Sequence, residues 1–135
     1  MSSSGLSKLE RTVSVLLVED DPGIRKAVQK ELTSRSFSVT VAGSAERAQE
    51  LAQEEEFDVM LLDLGLPGMD GLSFLKMVTA QISPPQVIIM TGEAKFEKAV
   101  QALRLGAYDY LIKPADPEFL DMRIRQAAQK RQLMK

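Results

Sequence analysis

The chain contains no cysteine and no histidine. Without cysteine there is no disulfide framework and no thiolate zinc site, and without histidine the usual general base and imidazole metal ligand are missing. Any metal must be held by oxygen, which selects a hard cation such as Mg²⁺ or Mn²⁺. Unopposed positive charge is also lacking: 17 Lys and Arg are interleaved with 19 Asp and Glu, for a net charge of -2. A phosphate-binding surface needs clustered basic residues, so direct nucleic-acid binding by this domain is not expected. No apolar stretch approaches the ~20 residues needed to span a bilayer. The polar start, MSSSGLSKLERTVS, has no apolar centre of the signal-peptide kind, and a cytoplasmic protein without membrane contacts is expected. Repeats, low-complexity tracts and internal linkers are absent too. The 135 residues, 44% of them hydrophobic, therefore read as one domain with a real core. Its expected extent is 12–130, after a flexible serine-rich segment 1–11 and before 131–135, the end of the last helix or the start of a linker.

Five short apolar, β-branched runs are present, at Val13–Val18, Phe37–Ala42, Asp58–Leu62, Gln86–Met90 and Tyr108–Ile112. Helical patterns alternate with them. Ile24, Ala27, Val28 and Leu32 share one helix face, as do Ala45, Ala48, Leu51 and Ala52. Leu72, Leu75 and Val78 mark a third helix, Phe96, Ala99, Val100 and Leu103 a fourth, and the last runs from about Pro117 onward. Alternation of this kind predicts an α/β fold, a doubly wound parallel sheet with helices on both faces. Asp21 before Pro22 reads as an N-cap, Ser44 as another, and Gly106 as a residue just past a helix end.

In an open parallel sheet the C-terminal strand ends lie along one edge, and ligands bind there. The first strand delivers Glu19, Asp20 and Asp21 to that edge, the second only Gly43 and Ser44, the third Asp63. The fourth delivers Thr91 and Gly92, the fifth Lys113 and Pro114. Each has an ordinary explanation: Asp21 as a cap, Glu19 and Asp20 as solvated loop acids, Thr91 as a strand exit, Lys113 as a surface lysine, Asp63 as a turn-maker. Their convergence at one edge favours chemistry. Three carboxylates repel one another and need a cation, and a divalent ion can neutralise them while bridging to phosphate oxygens. A carboxylate can also accept a phosphoryl group covalently. The transferring group carries charge on three oxygens, which a metal, the Lys113 ammonium and the Thr91 hydroxyl could share.

Four stretches, LLVEDDPGIR, LLDLGLPGMDG, VIIMTG and GAYDYLIKP, together resemble the receiver domain of two-component response regulators, best known from the bacterial chemotaxis response regulator. The resemblance spans about Val13 to Gln129. It implies a flavodoxin-like (βα)5 fold with strand order 2-1-3-4-5. It further implies Asp63 as phosphoacceptor, and a Mg²⁺ (or Mn²⁺) site of Glu19, Asp20, Asp63 and the backbone carbonyl of Gly65. Thr91 would be the switch hydroxyl, Lys113 its ion-pairing companion and Tyr110 the aromatic that turns inward with it. Gly65 and Glu93 would tune dephosphorylation, and the Lys113–Pro114 bond would be cis. The implied role is a phosphoacceptor switch that catalyses only its own phosphorylation and dephosphorylation. Implied partners are a sensor histidine kinase or phosphotransfer protein, an output domain or downstream protein, and a homodimer mate through the fourth helix, fifth strand and fifth helix.

Other readings compete. A flavodoxin-like electron carrier needs a hydroxyl- and glycine-rich phosphate loop where this chain has three acids, Glu19 to Asp21. A haloacid-dehalogenase-type phosphatase needs a second acid two residues after its nucleophile, and Gly65 stands there. A degenerate receiver serving as an interaction module is the remaining alternative, and the intact Asp63, Thr91 and Lys113 speak against it. The apolar Leu133 and Met134, at the end of a basic helix, point to a dimer contact or to a linker toward an effector domain.

Overall fold

The computed structural model describes residues 11–92 and 95–135. The segment 1–10 and Glu93, for which expectations were formed, lie outside the described residues. In chain order the elements are β1 (Ser14–Val18), α1 (Pro22–Ser34), β2 (Ser38–Ala42), α2 (Ala45–Glu54), β3 (Val59–Leu62), α3 (Gly71–Thr79), β4 (Gln86–Thr91), α4 (Phe96–Arg104), β5 (Asp109–Ile112) and α5 (Pro117–Met134). The strands form one parallel sheet in the order β2-β1-β3-β4-β5. The expected runs match these strands closely, although β4 extends through Thr91, which is its last residue rather than its exit. No helix among the described residues is long and apolar enough to cross a membrane.

Alternation along each strand divides the core in two. Leu16, Val18, Met60, Leu62, Val87 and Ile89 face α2, α3 and α4, while Val15, Leu17, Val59, Leu61, Ile88 and Met90 face α1 and α5. Both faces are covered, which is why the central strands read as unbroken apolar runs rather than as an alternating pattern.

The helix starts follow the local chemistry. Asp21 accepts from the Gly23 and Ile24 amides at 2.8 and 3.1 Å, and Ser44 from the Arg47 amide at 3.1 Å, both as expected. Asp70 and Asp116 cap α3 and α5 in the same way. Gly106 has φ +105° just past α4, a conformation that favours glycine. Gly71 serves a close approach instead, since a Cβ there would lie 2.7 Å from the Leu64 Cα in the loop that follows Asp63.

The expected inward face of α4 is not what the structure buries. Phe96 is 79% exposed and Leu103 48%, while Ala102 is the buried residue of this helix. α4 lies over the β4–β5 edge of the sheet, against β5 and α3. A nine-residue helix on that margin closes down on its small residue and leaves the larger apolar side chains outside.

Candidate functional site

Register brings the acids together. Val18 pairs with Leu62, so the next residue of each chain segment, Glu19 and Asp63, emerge side by side. The Glu19 amide donates to the Ala42 carbonyl at 3.0 Å and the Asp63 amide to the Val18 carbonyl at 3.2 Å, which extends the ladder to both residues. On β5 the Lys113 amide likewise donates to the Thr91 carbonyl at 2.8 Å. Glu19, Asp63 and Lys113 each continue the alternation on the α1/α5 side of their strands, and their side chains meet there.

Lys113 Nζ donates to Asp63 Oδ2 at 3.0 Å and makes a close ion pair with Glu19 Oε1. Glu19 is buried, and the Asp63 side chain is only 12% exposed. Asp63 Oδ1 accepts from the Gly65 amide at 3.0 Å, and Glu19 Oε2 from the Asp21 amide at 3.1 Å. Burial works to raise the Asp63 carboxyl, but the Gly65 amide, the Lys113 ammonium and the Thr91 hydroxyl outweigh it and hold the carboxyl below its ordinary range. For Lys113 burial works to lower the ammonium, and Glu19 and Asp63 together hold it above its usual value. Each group is thus kept charged by the other.

Thr91 is buried at the end of β4 and continues the Val87, Ile89 series toward α2, α3 and α4. Ile89 pairs with Tyr110, so Tyr110 is the diagonal neighbour of Thr91, half-buried against the same core layer. The structure brings together Glu19, Asp20, Asp63, Thr91 and Lys113, with Gly65 in the adjoining loop and the Lys113–Pro114 bond cis. Gly65 is exposed, and a Cβ there would rest in ordinary contact, 3.5 Å from Asp63 Oδ1. Arg25 is a neighbour that sequence reasoning passes over: its Nη1 donates to the Glu19 backbone carbonyl at 3.0 Å. The only signal for it was a lone arginine in the first turns of α1, beside a helix cap.

One carboxylate oxygen from each of Glu19, Asp20 and Asp63 lies within 4.8 Å of the others. Three carboxylate oxygens this close can turn inward to share one small cation. The donor set is all oxygen, as a hard cation requires. Three carboxylates against the single ammonium that pairs with them leave an excess of negative charge, which a cation offsets. These residues fit the metal.

Residues 15–125 match the family model described as the response regulator receiver domain, and the chain belongs to that family. Among curated relatives it is 34% identical over 121 residues to the regulatory protein AtoC of Escherichia coli, covering 90% of this chain and 26% of that protein. It is 35% identical over 121 residues to the C4-dicarboxylate transport transcriptional regulatory protein DctD of Rhizobium meliloti, covering the same shares, 90% and 26%. The chain therefore spans about a quarter of the length of these curated relatives. Among solved structures, the BeF3-activated N-terminal receiver domain of Klebsiella pneumoniae RstA superposes with a TM-score of 0.80 at 29% identity, over 85% of this chain and 97% of that one. The chemotaxis response regulator CheY4 of Vibrio cholerae gives 0.78 at 30% identity, over 86% and 98%.

Proposed function

We propose that this chain is the phosphoacceptor switch of a two-component phosphorelay, with Asp63 as the residue that takes the phosphoryl group. The observation that carries this reading is the acid cluster itself: three carboxylates within 4.8 Å, two of them paired with Lys113 and one of these, Asp63, held ionised at the sheet edge. An ionised carboxylate oxygen is the nucleophile that attack on phosphorus requires.

Glu19, Asp20, Asp63 and the Gly65 carbonyl would hold Mg²⁺, or Mn²⁺. The ion, when bound, supplies charge neutralisation for the incoming phosphoryl oxygens. Lys113 and the Thr91 hydroxyl bind the remaining oxygens after transfer. Thr91 moving toward them frees space on its face of the sheet, and Tyr110, its diagonal neighbour, turns into that space. The phosphodonor is a phosphohistidine of a sensor kinase or phosphotransfer protein. A cleft of about 390 Å³ lined by Ile24, Ala27, Val28, Pro114, Ala115 and Pro117 opens beside Lys113 and offers such a protein apolar surface to bury next to Asp63.

Output passes through α4, β5 and α5. Phe96 and Leu103 on α4, Ile112 on β5 and Phe119 and Met122 on α5 leave large apolar side chains exposed there, which suits a second copy or an output domain. Incubation with acetyl phosphate and Mg²⁺ followed by intact mass measurement tests the reading. A single phosphoryl adduct is expected, absent in Asp63→Asn and in EDTA. An adduct that persists in either control would remove Asp63, or the metal, from the account.

A further inference from the structure

Arg25 is placed to govern the metal site without touching a metal. Its guanidinium crosses from α1 to the end of β1 and donates from Nη1 to the Glu19 carbonyl at 3.0 Å. The Glu19 amide on the other side is held by the Ala42 carbonyl at 3.0 Å. The carbonyl that Arg25 holds belongs to the peptide joining Glu19 to Asp20. Because a peptide is planar, fixing its oxygen fixes the direction in which the chain enters Asp20. Asp20 is exposed, so packing does little to place it, and this peptide plane sets the backbone position from which its side chain starts.

The space Arg25 occupies is kept open by Gly43. This glycine directly follows β2, and a Cβ built on it would lie 3.0 Å from Arg25 Nη1, with the rest of the guanidinium next nearest. Its φ is not in the left-handed region, so the backbone there does not call for glycine. What a side chain would displace is the arginine head.

We infer that Arg25, seated over Gly43, is a positioning residue for the divalent-cation site, orienting Asp20 through the Glu19 carbonyl. The inference rests on the metal-site reading of Glu19, Asp20 and Asp63 given above. It makes a prediction opposite in sign to the simplest electrostatic one. Removing a positive charge beside an acidic site should tighten cation binding if charge alone mattered. Losing an orienting partner should weaken it, by about tenfold or more for groups that hold a metal ligand in place.

The test is Mg²⁺ titration of the thermal midpoint, without any phosphodonor, for wild type, Arg25→Ala and Gly43→Val. Gly43→Val retains the arginine and its charge, and only crowds the guanidinium. The expected result is a Mg²⁺ half-saturation raised about tenfold in Arg25→Ala and shifted the same way in Gly43→Val. Phosphorylation of both by acetyl phosphate should recover at saturating Mg²⁺. Tighter Mg²⁺ binding in Arg25→Ala overturns the inference in favour of charge. A lower melting temperature with an unchanged half-saturation in both variants overturns it in favour of a merely structural arginine. A wild type without any Mg²⁺ response defeats the metal-site reading and this inference together.

Discussion

Lys113 binds two carboxylates at once, and that leaves Asp20 as the acid of the cluster with no ammonium of its own among the described residues. Without metal, Asp20 adds repulsion and little else. Asp20→Ala should therefore melt higher than wild type in EDTA and lose the stabilisation by Mg²⁺, which differential scanning with and without the ion will read. An Asp20→Ala protein that still gains stability from Mg²⁺ would count against the donor set. The pair Asp63 and Lys113 contributes to the pH dependence at both ends of the scale. The folded Asp63 carboxyl lies below its unfolded value of about 3.9, so its contribution is present above that pH and lost as pH falls through the folded value. The folded Lys113 ammonium lies above its unfolded value of about 10.4, so its contribution is present below that pH and lost as pH rises through the folded value. Since the chain has no histidine, urea unfolding should give a flat stability profile between about pH 5 and 8, the range in which histidine would titrate. A step inside that window would show that an unrecognised group carries the linkage.

The starts of α1, α2, α3 and α5 answer to single polar side chains. Asp21 takes two amide hydrogen bonds at the start of α1, and Asp21→Ala should cost about 1 kcal/mol in urea unfolding. Gly71 lets α3 begin close against the Leu64 backbone, and since a Cβ there would lie 2.7 Å from the Leu64 Cα, Gly71→Ala must push the loop behind Asp63. Overpacking there should cost roughly 1–3 kcal/mol and slow phosphorylation as well. Phe96→Ala should be nearly neutral for stability, against the 3–5 kcal/mol loss typical of a buried phenylalanine. Such a comparison reports directly on the orientation of α4. Strand positions and the caps of α1 and α2 were legible in the sequence because buried parallel strands are apolar throughout and because Asp21–Pro22 and Ser44 are local signals, whereas the Asp70 and Asp116 caps were passed over. The facing of α4 was not, since Phe96, Ala99, Val100 and Leu103 carry the helical period whichever side is buried, and only the sheet edge decides. The site acids were legible as strand-end residues. The Arg25 contact was not, because it joins α1 to the carbonyl of Glu19, just past β1, through a space that Gly43, just past β2, leaves empty.

Across the whole domain, the parallel sheet gathers acids, hydroxyl and ammonium on one edge and ties down the other. At the far edge Asp58 accepts from the Ser14 amide at 2.9 Å and from Gln132 at 3.0 Å, while the buried Arg131 binds the Ser83 and Pro84 carbonyls at 2.9 and 3.0 Å. The end of α5 is thereby anchored to the sheet, and on the proposed switch reading change at the Asp63 edge would fall to α4, β5 and the start of α5. A metal that binds only the folded state stabilises it by about 2.7 kcal/mol at a hundredfold excess over its dissociation constant. Amide exchange with a beryllofluoride phosphate mimic should then show protection changes in α4, β5 and the first turns of α5, with the Arg131 end quiet. Changes confined to α1 and α2 would mean that the switch runs elsewhere. The central claim is that Asp63 carries the phosphoryl group. Borohydride reduction of the acyl phosphate to homoserine, followed by peptide mass spectrometry, locates that group on the chain. Homoserine at position 63 alone, formed with Mg²⁺ and acetyl phosphate and absent in EDTA, is the predicted result; homoserine at 20 or 21, or none at 63 under saturating Mg²⁺, contradicts it.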